Sequence, residues 1–408
     1  MRALKCMVLP LIIGSAFGGV LSLQNSIESA SGARGIVRRT LLLYFISMQC
    51  AVTIGIVCMS LFRPGAGVTL SPASCARAGA PPAPPAAPAV RLSPLDALLN
   101  TLRSCVPPNA VAALAGGNVL GLLCLSIATA VAVARGEPAA AAAALSGVSA
   151  FNAVVSRLVA GILRCTPVGI CSLLAGQIAS TCRPLTLLIS LSYFIAVYLL
   201  GLILHAAVLI PFALRAVARV RPADVFRGAA PAMSTVFATD SSSATLPVTL
   251  MCCKERLMIP AHIVDFVIPL GTTINMDGTA LYEATAVLFI AQVHGVALGA
   301  VGTVVVAFTA TLAAVGAPAI PSAGLVTMLM VLSAVGMDDY AGDIAVLLAC
   351  DWLLDRCRSV VNVVGDVACC VLVHRLTERA EERERAAADA DAQLPLCEPR
   401  PEAAPPEA

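Results

Sequence analysis

Charge is scarce in this 408-residue sequence: Asp, Glu, Lys and Arg together supply 12% of it, about half of what a soluble globular domain carries. The formal net charge is only +2, and the basic residues are dispersed rather than striped. That excludes nucleic acid as a partner. There are 16 cysteines but no CxxC pair, so the spacings of a metal ribbon or redox motif are missing. Most cysteines lie inside apolar segments (Cys50, Cys58, Cys124, Cys171, Cys350, Cys369, Cys370) and read as small apolar packing residues. No N-x-S/T sequon occurs, and no small-residue cleavage site follows the first apolar run.

What is abundant is apolar surface. Hydrophobic residues make up 59% of the chain, and the mean hydropathy is +0.90. A soluble fold of this length has too little interior to hide that much, so most of it faces lipid or other helices. Runs long enough to cross a bilayer, about 20 residues each, fall near 6–23, 41–62, 111–134, 156–179 and 185–214. Residues 63–110 form a Pro/Ala-rich outer loop, and 377–408 a charged, then Pro-rich, soluble tail.

From Phe226 to Leu376 the apolar pattern is broken by polar clusters: SSSATLP at 241–247, TTINMDGT at 272–279, GAPAIPSAG at 316–324 and NVVGD at 362–366. Basic residues cluster at Arg34–Arg39, Arg215–Arg227, Lys254 and Arg256, and Arg375–Arg385. Placing these on the cytoplasmic side makes the spans alternate and leaves the tail inside. The same counting makes SSSATLP the tip of a re-entrant hairpin entering from the cytoplasm, and GAPAIPSAG the tip of one entering from outside. Opposed hairpins beside interrupted helices are the signature of a secondary transporter with inverted repeats, whose half-helix ends offer bare N–H groups to anions and bare carbonyls to cations.

The last span carries Asp351, Asp355, Arg356, Arg358, Asn362 and Asp366. A charge at mid-bilayer costs about 2.5–3.5 kcal/mol on insertion scales, so this many would not persist on a lipid-facing helix. Asp355, Arg358, Asn362 and Asp366 recur at intervals of three, four and four, which places them on one helical stripe. A stripe with both signs suits a zwitterion, with Asp355 for the ammonium and Arg358 for a carboxylate. Asn362 and Asp366 offer oxygen to a hard cation. The bland alternative is that these charges merely neutralise one another.

The segments PLGTTINMDGTALYEATAVLFIAQ, SSSATLPVT, AGLVTMLMVLSAVG and DWLLDRCRSVVNVVGD resemble the dicarboxylate/amino acid:cation symporter family, and within it the animal excitatory amino acid (glutamate) transporters. The resemblance implies an all-α polytopic membrane protein of elevator type, assembled as a homotrimer in the plasma membrane with a cytoplasmic C-terminus. Scaffold and transport-domain spans would fill 111–225, and a transport core of two hairpins and two interrupted or polar spans 226–376. It implies no enzyme activity and no cofactor. Its substrates would be L-glutamate and L- and D-aspartate, moved with sodium and a proton against potassium, with an associated chloride conductance. Substrate contacts would come from Ser241, Ser242 and Ser243 in the first tip, Thr279, Ile320, Gly324, Asp355, Arg358, Ser359 and Asn362. One sodium site would use Gly271, Asn275, Asn362 and Asp366. A second would use Thr273 with Ala314, Val315 and Ala317, and a third Tyr44, Ser47, Asn275 and Asp277. Glu283 would carry the proton.

The sequence departs from the family pattern at several points. Asp240 stands where serine is usual, with Arg356 as its expected ion-pair partner. Pro318 and Ala319 replace a small residue and a glycine in the outer tip, and Met48 replaces a hydroxyl residue. Residues 1–62 read as the family's second and third spans, with the first span missing. Two rival functions share the fold: a neutral amino acid exchanger, which Arg358 disfavours, and a mainly chloride-conducting member. An intramembrane aspartyl protease is disfavoured because NVVGDV lacks the GxGD pattern.

Overall fold

The computed structural model describes residues 34–67, 106–116, 118–164, 184–315 and 324–392, with single positions between 10 and 21, at 103 and between 168 and 175. Most of the expected 6–23 span, most of the Pro/Ala-rich loop and the tip of the second hairpin lie outside these residues. Ala317, Pro318, Ala319 and Ile320 are therefore outside the described structure.

Every regular element among the described residues is helical. α1 spans Arg34–Phe62, α2 Ala110–Gly116, α3 Val119–Ala134 and α4 Pro138–Arg164. α5 begins at Pro184–Ile203 and continues through a π-helical turn, Leu204–Leu209, a short α segment, Ile210–Ala213, and a second π-helical turn, Leu214–Ala218. Pro211 removes an N–H from that ladder, and the two widened turns flank it. α4 starts well before the apolar run near 156. The run of alanines after Pro138 is apolar, with a mean hydropathy of 1.5 over Pro138–Val155, and is the best helix-forming sequence available, and proline suits a first helical turn. The run at 111–134 is two helices, with Asn118 capping α3 by accepting from the Gly121 N–H at 3.0 Å.

The first hairpin is α6, Pro222–Thr239, packed on α7, Ser242–Met251. Asp240 closes α6 in the left-handed conformation, and Ser241, extended, opens α7 by accepting from the Ala244 N–H at 3.2 Å. The second pairs α10, Ala300–Val315, with α11, Gly324–Ala334. At about 1.5 Å per residue, α7 and α11 rise about 15 Å and their partners α6 and α10 about 25 Å, and each pair folds back on itself as a helical hairpin. Between them, α8 (Ala261–Ile274) and α9 (Asp277–Val293) are halves of one span broken at Asn275 and Met276.

The last helix, α12, is continuous over Ile344–Ala392. The NVVGD cluster interrupts its apolar run but not its helix. One glycine costs only about 1 kcal/mol, and Asn362 and Asp366 find partners on other helices. All of α9 except Gln292 is buried. Within Cys350–Arg383, 78% of the 18-residue spanning window is buried, against 11% for Pro138–Val155, so α12 is an inner helix and α4 an outer one. Leu42, Phe45 and Ile46 on α1 and Leu185, Ile189 and Phe212 on α5 face outward, as a lipid-facing surface requires.

The basic clusters gather at one end. Arg39 donates to the Thr377 hydroxyl at 3.1 Å, Arg256 to the Arg227 carbonyl at 3.4 Å, and Arg379 to the carbonyls of Val217 and Ala218 at 2.5 and 3.2 Å. Residues more than 300 positions apart thus share one basic rim, as the topology derived from Lys and Arg requires.

Candidate functional site

The break between α8 and α9 faces the polar stripe of α12. Asn275 Nδ2 donates to Asp366 Oδ1 at 3.0 Å, and Asn362 Oδ1 accepts from the Gly278 N–H at 2.8 Å. Asn362 Nδ2 donates to Thr279 Oγ1 at 3.1 Å. The first N–H groups of a helix have no intrahelical acceptor, and Asn362 satisfies one of them. Asp355, Arg358, Asn362 and Asp366 are all buried, as the three–four–four spacing predicts. Gly278 is fixed by this approach: a Cβ there would lie 2.7 Å from the Arg358 carbonyl.

Two oxygens at this break, Asn275 Oδ1 and Asp277 Oδ1, are buried and have no hydrogen-bond partner among the described residues. Leaving such atoms unmatched costs about 1–3 kcal/mol each, more for a charge. Oxygens of this kind have the chemistry that a hard cation takes. Gly271 adds space: a Cβ on it would meet the Asp366 carboxylate and sit 2.8 Å from the Tyr44 hydroxyl. Tyr44 itself donates to the Val267 carbonyl at 2.6 Å, and Ser47 donates to Asp277 Oδ2 at 2.6 Å. Thr273 donates to the Leu270 carbonyl of its own helix at 3.0 Å, while Ala314 is fully buried and Val315 partly so. Met48, in place of a hydroxyl residue, is buried.

Sequence reasoning missed His205, whose Nε2 lies 2.9 Å from Asp277 Oδ2 with both side chains fully buried. It sits in the first π-helical turn of α5. Its only signal was a lone ionisable residue within the apolar run 185–214, which at membrane depth is a functional candidate by default.

Around Arg358 the arrangement is equally closed. Its Nη2 pairs with Asp355 Oδ1, and its Cζ lies 4.7 Å from the Tyr282 ring centroid. Gly324, the first residue of α11, lies so close that a Cβ would meet Nη1. Nη1 has no hydrogen-bond acceptor among the described residues. The two charges expected to divide a zwitterion are thus in contact with each other. Tyr282 is a second residue that sequence reasoning missed. Beyond it, Thr327 of α11 donates to Glu283 Oε1 and also to the Gly324 carbonyl. Glu283 is fully buried, and its Oε2 has no partner among the described residues.

The serine-rich tip meets this cluster from α7. Ser242 is buried, Ser241 half-buried and Ser243 exposed. Ser359 donates to Asp240 Oδ1 at 3.3 Å. The expected Asp240–Arg356 ion pair does not form. Arg356 donates to the Trp352 carbonyl at 2.6 Å and lies 5.8 Å from the Trp352 ring centroid. One residue along a helix is a rotation of about 100°, which takes Arg356 off the buried stripe.

A protein-family description, the Sodium:dicarboxylate symporter family, matches residues 1–376. The chain is similar to Excitatory amino acid transporter 3 of Homo sapiens, 34% identical over 436 residues that cover 94% of this chain and 79% of that protein. It is similar to Excitatory amino acid transporter 2 of Homo sapiens, 34% identical over 433 residues, covering 93% and 72%. A putative sodium-dependent excitatory amino acid transporter, glt-4 of Caenorhabditis elegans, is 32% identical over 428 residues, covering 92% and 81%.

Proposed function

Because the chain belongs to the sodium:dicarboxylate symporter family, we propose that it is a sodium-coupled transporter of L-glutamate and L- and D-aspartate. It is a membrane transporter and not an enzyme. The observation that carries the choice of substrate is Arg358. Its guanidinium is 2% exposed, and Nη1, beside Gly324, has no acceptor among the described residues. A planar fork of donors holds a carboxylate through two parallel bonds, which a hydroxyl or thiol cannot do.

Binding begins with the opening of the Arg358–Asp355 pair. Arg358 turns to the side-chain carboxylate of the substrate, and Asp355 takes the ammonium. Asn362, Thr279, Ser359, the 241–243 tip and Gly324, with Ile320, surround the rest. Exchanging one buried ion pair for two avoids leaving either charge alone, which would cost about 3–5 kcal/mol. Sodium is cargo here, and the unmatched oxygens of Asn275 and Asp277 support its placement at the α8–α9 break. Gly271, Asn275, Asn362 and Asp366 would hold one ion, and Tyr44, Ser47, Asn275 and Asp277 another. Thr273 with the Ala314, Val315 and Ala317 carbonyls would hold a third.

Glu283, buried and bonded to Thr327, carries the co-transported proton, and potassium returns in exchange, with a chloride conductance alongside. The protein works as a homotrimer in the plasma membrane with the basic rim and C-terminus cytoplasmic. In each protomer the hairpins, α8, α9 and α12 move together as an elevator. Arg358→Cys tests the reading: competition uptake should shift from acidic toward neutral amino acids. An unchanged acidic preference in a well-expressed variant would remove Arg358 from the substrate site.

A further inference from the structure

Arg358 rests against a wall of rings. Its Cζ lies 4.7 Å from the Tyr282 ring centroid. Tyr198 of α5 meets Tyr282 edge to face, with centroids 5.3 Å apart and planes at 70°. Phe194, a turn earlier on α5, stacks on Tyr198 at 6.2 Å and packs against Phe289 of α9 at 4.8 Å. These four side chains are buried, and Phe194, Tyr198 and Tyr282 completely so. The spacings are those of favourable ring pairs, and a guanidinium over a ring is held by the ring's quadrupole. Arg358 and Tyr282 belong to α12 and α9, so Tyr198 braces them from a third helix.

The rest of Arg358 is closed in as well. Nη2 meets Asp355, and a Cβ on Gly324 would overlap Nη1. A Cβ on Gly278 would lie 3.0 Å from the Arg358 Cγ, so backbone crowds the stem. In an interior packed this closely a change of one methylene is felt. The contacts that Tyr198 and Tyr282 make here come from their rings. Both hydroxyls are buried and have no hydrogen-bond partner among the described residues, and an unmatched hydroxyl is a cost rather than a support.

We propose that Tyr198 determines substrate length: through Tyr282 it limits how far Arg358 can recede from Asp355, and so favours L-aspartate over L-glutamate. The proposal rests on the reading of Arg358 and Asp355 given above. Tyr198 acts as a positioning residue and does not touch the substrate. Asp355 and Arg358 start in contact, and a bound amino acid has to part them. Aspartate has one methylene between its α-carbon and its side-chain carboxylate, and glutamate has two. The longer acid needs the wider separation, and the guanidinium then presses on Tyr282 and Tyr282 on Tyr198.

Sodium-dependent uptake of L-aspartate, L-glutamate and L-2-aminoadipate by cells expressing the full chain measures this, because the series adds one methylene at a time. In the wild type KM should rise by about tenfold at the first added methylene, the low end of what one methylene is worth in a packed pocket, and further at the second. Tyr198→Val removes the brace and should shrink the KM ratio of L-glutamate to L-aspartate several-fold. Tyr198→Phe keeps the ring and should keep the wild-type ratio. Poor folding or expression lowers uptake of all three acids together and leaves the ratio alone. A wild-type ratio in Tyr198→Val, or an equal fall in Tyr198→Phe, overturns the proposal. So does a wild type with a KM for L-glutamate at or below that for L-aspartate, which needs no variant. Sodium-dependent uptake of none of the three by the wild type contradicts the functional reading instead.

Discussion

At the scale of single residues, the sodium reading turns on space and on unmatched oxygen. Gly271 leaves room between the Asp366 carboxylate and the Tyr44 hydroxyl that one methyl group would fill. Gly271→Ala should raise the sodium concentration for half-maximal uptake by about tenfold or more, a change of about 1.4 kcal/mol. Gly147 has nothing within 4 Å of a built Cβ, so Gly147→Ala should leave that concentration unchanged and stabilise α4 slightly, by about 0.5–1 kcal/mol. His205 tests the same site from α5. Asp277 Oδ2 meets both the Ser47 hydroxyl and the His205 ring, and losing one contact frees the carboxylate to turn. His205→Ala should weaken sodium-dependent thermal stabilisation several-fold in sodium concentration. His205→Gln, which retains a donor, should lie between it and the wild type. Identical sodium curves for all three would separate His205 from the site.

At the scale of elements, the basic rim holds the ends of α1, α5 and α12 together. Arg379 supplies donors to the Val217 and Ala218 carbonyls, where the second π-helical turn of α5 ends. Those carbonyls lack intrahelical partners, and a cation there is favoured by the helix dipole. Arg379→Ala should cost about 0.5–1 kcal/mol, since the contact is partly exposed. Thermal melting of the purified protein reads this. Much of this architecture was legible in the sequence. The spacing of Asp355, Arg358, Asn362 and Asp366 set the inner face of α12, and the NMDG cluster located the break after α8. Pattern reading failed where side chains choose among neighbours. It could not show that Arg358 and Asp355 hold each other, or that Arg356 turns to Trp352. It passed over His205 because one residue in a long apolar run barely alters hydropathy. It started α4 late because it passed over the alanine-rich stretch after Pro138, which is both helix-forming and apolar. The outer tip, with Pro318 and Ala319, is outside the described residues, so its sequence departures keep only their local meaning: a fixed φ at one position and resistance to positive φ at the next.

At the scale of the whole molecule, few charges are spread over a long apolar chain, and the fold concentrates them. Basic residues collect at one rim, apolar side chains of α1 and α5 face outward, and carboxylates, amides and one guanidinium converge where short helices end. In lipid this arrangement leaves helix ends exposed only where protein or cargo satisfies them. On the proposed reading the molecule takes both kinds of cargo together: sodium at the oxygens of the α8–α9 break, and a zwitterion between Asp355 and Arg358. Uptake of labelled L-glutamate, L-aspartate and L-alanine into cells expressing the full chain, in sodium and in choline medium, tests this most directly. Sodium-dependent uptake of the two acidic amino acids, well above that of L-alanine, is the predicted result. Uptake that persists undiminished in choline, or that favours L-alanine, would contradict it.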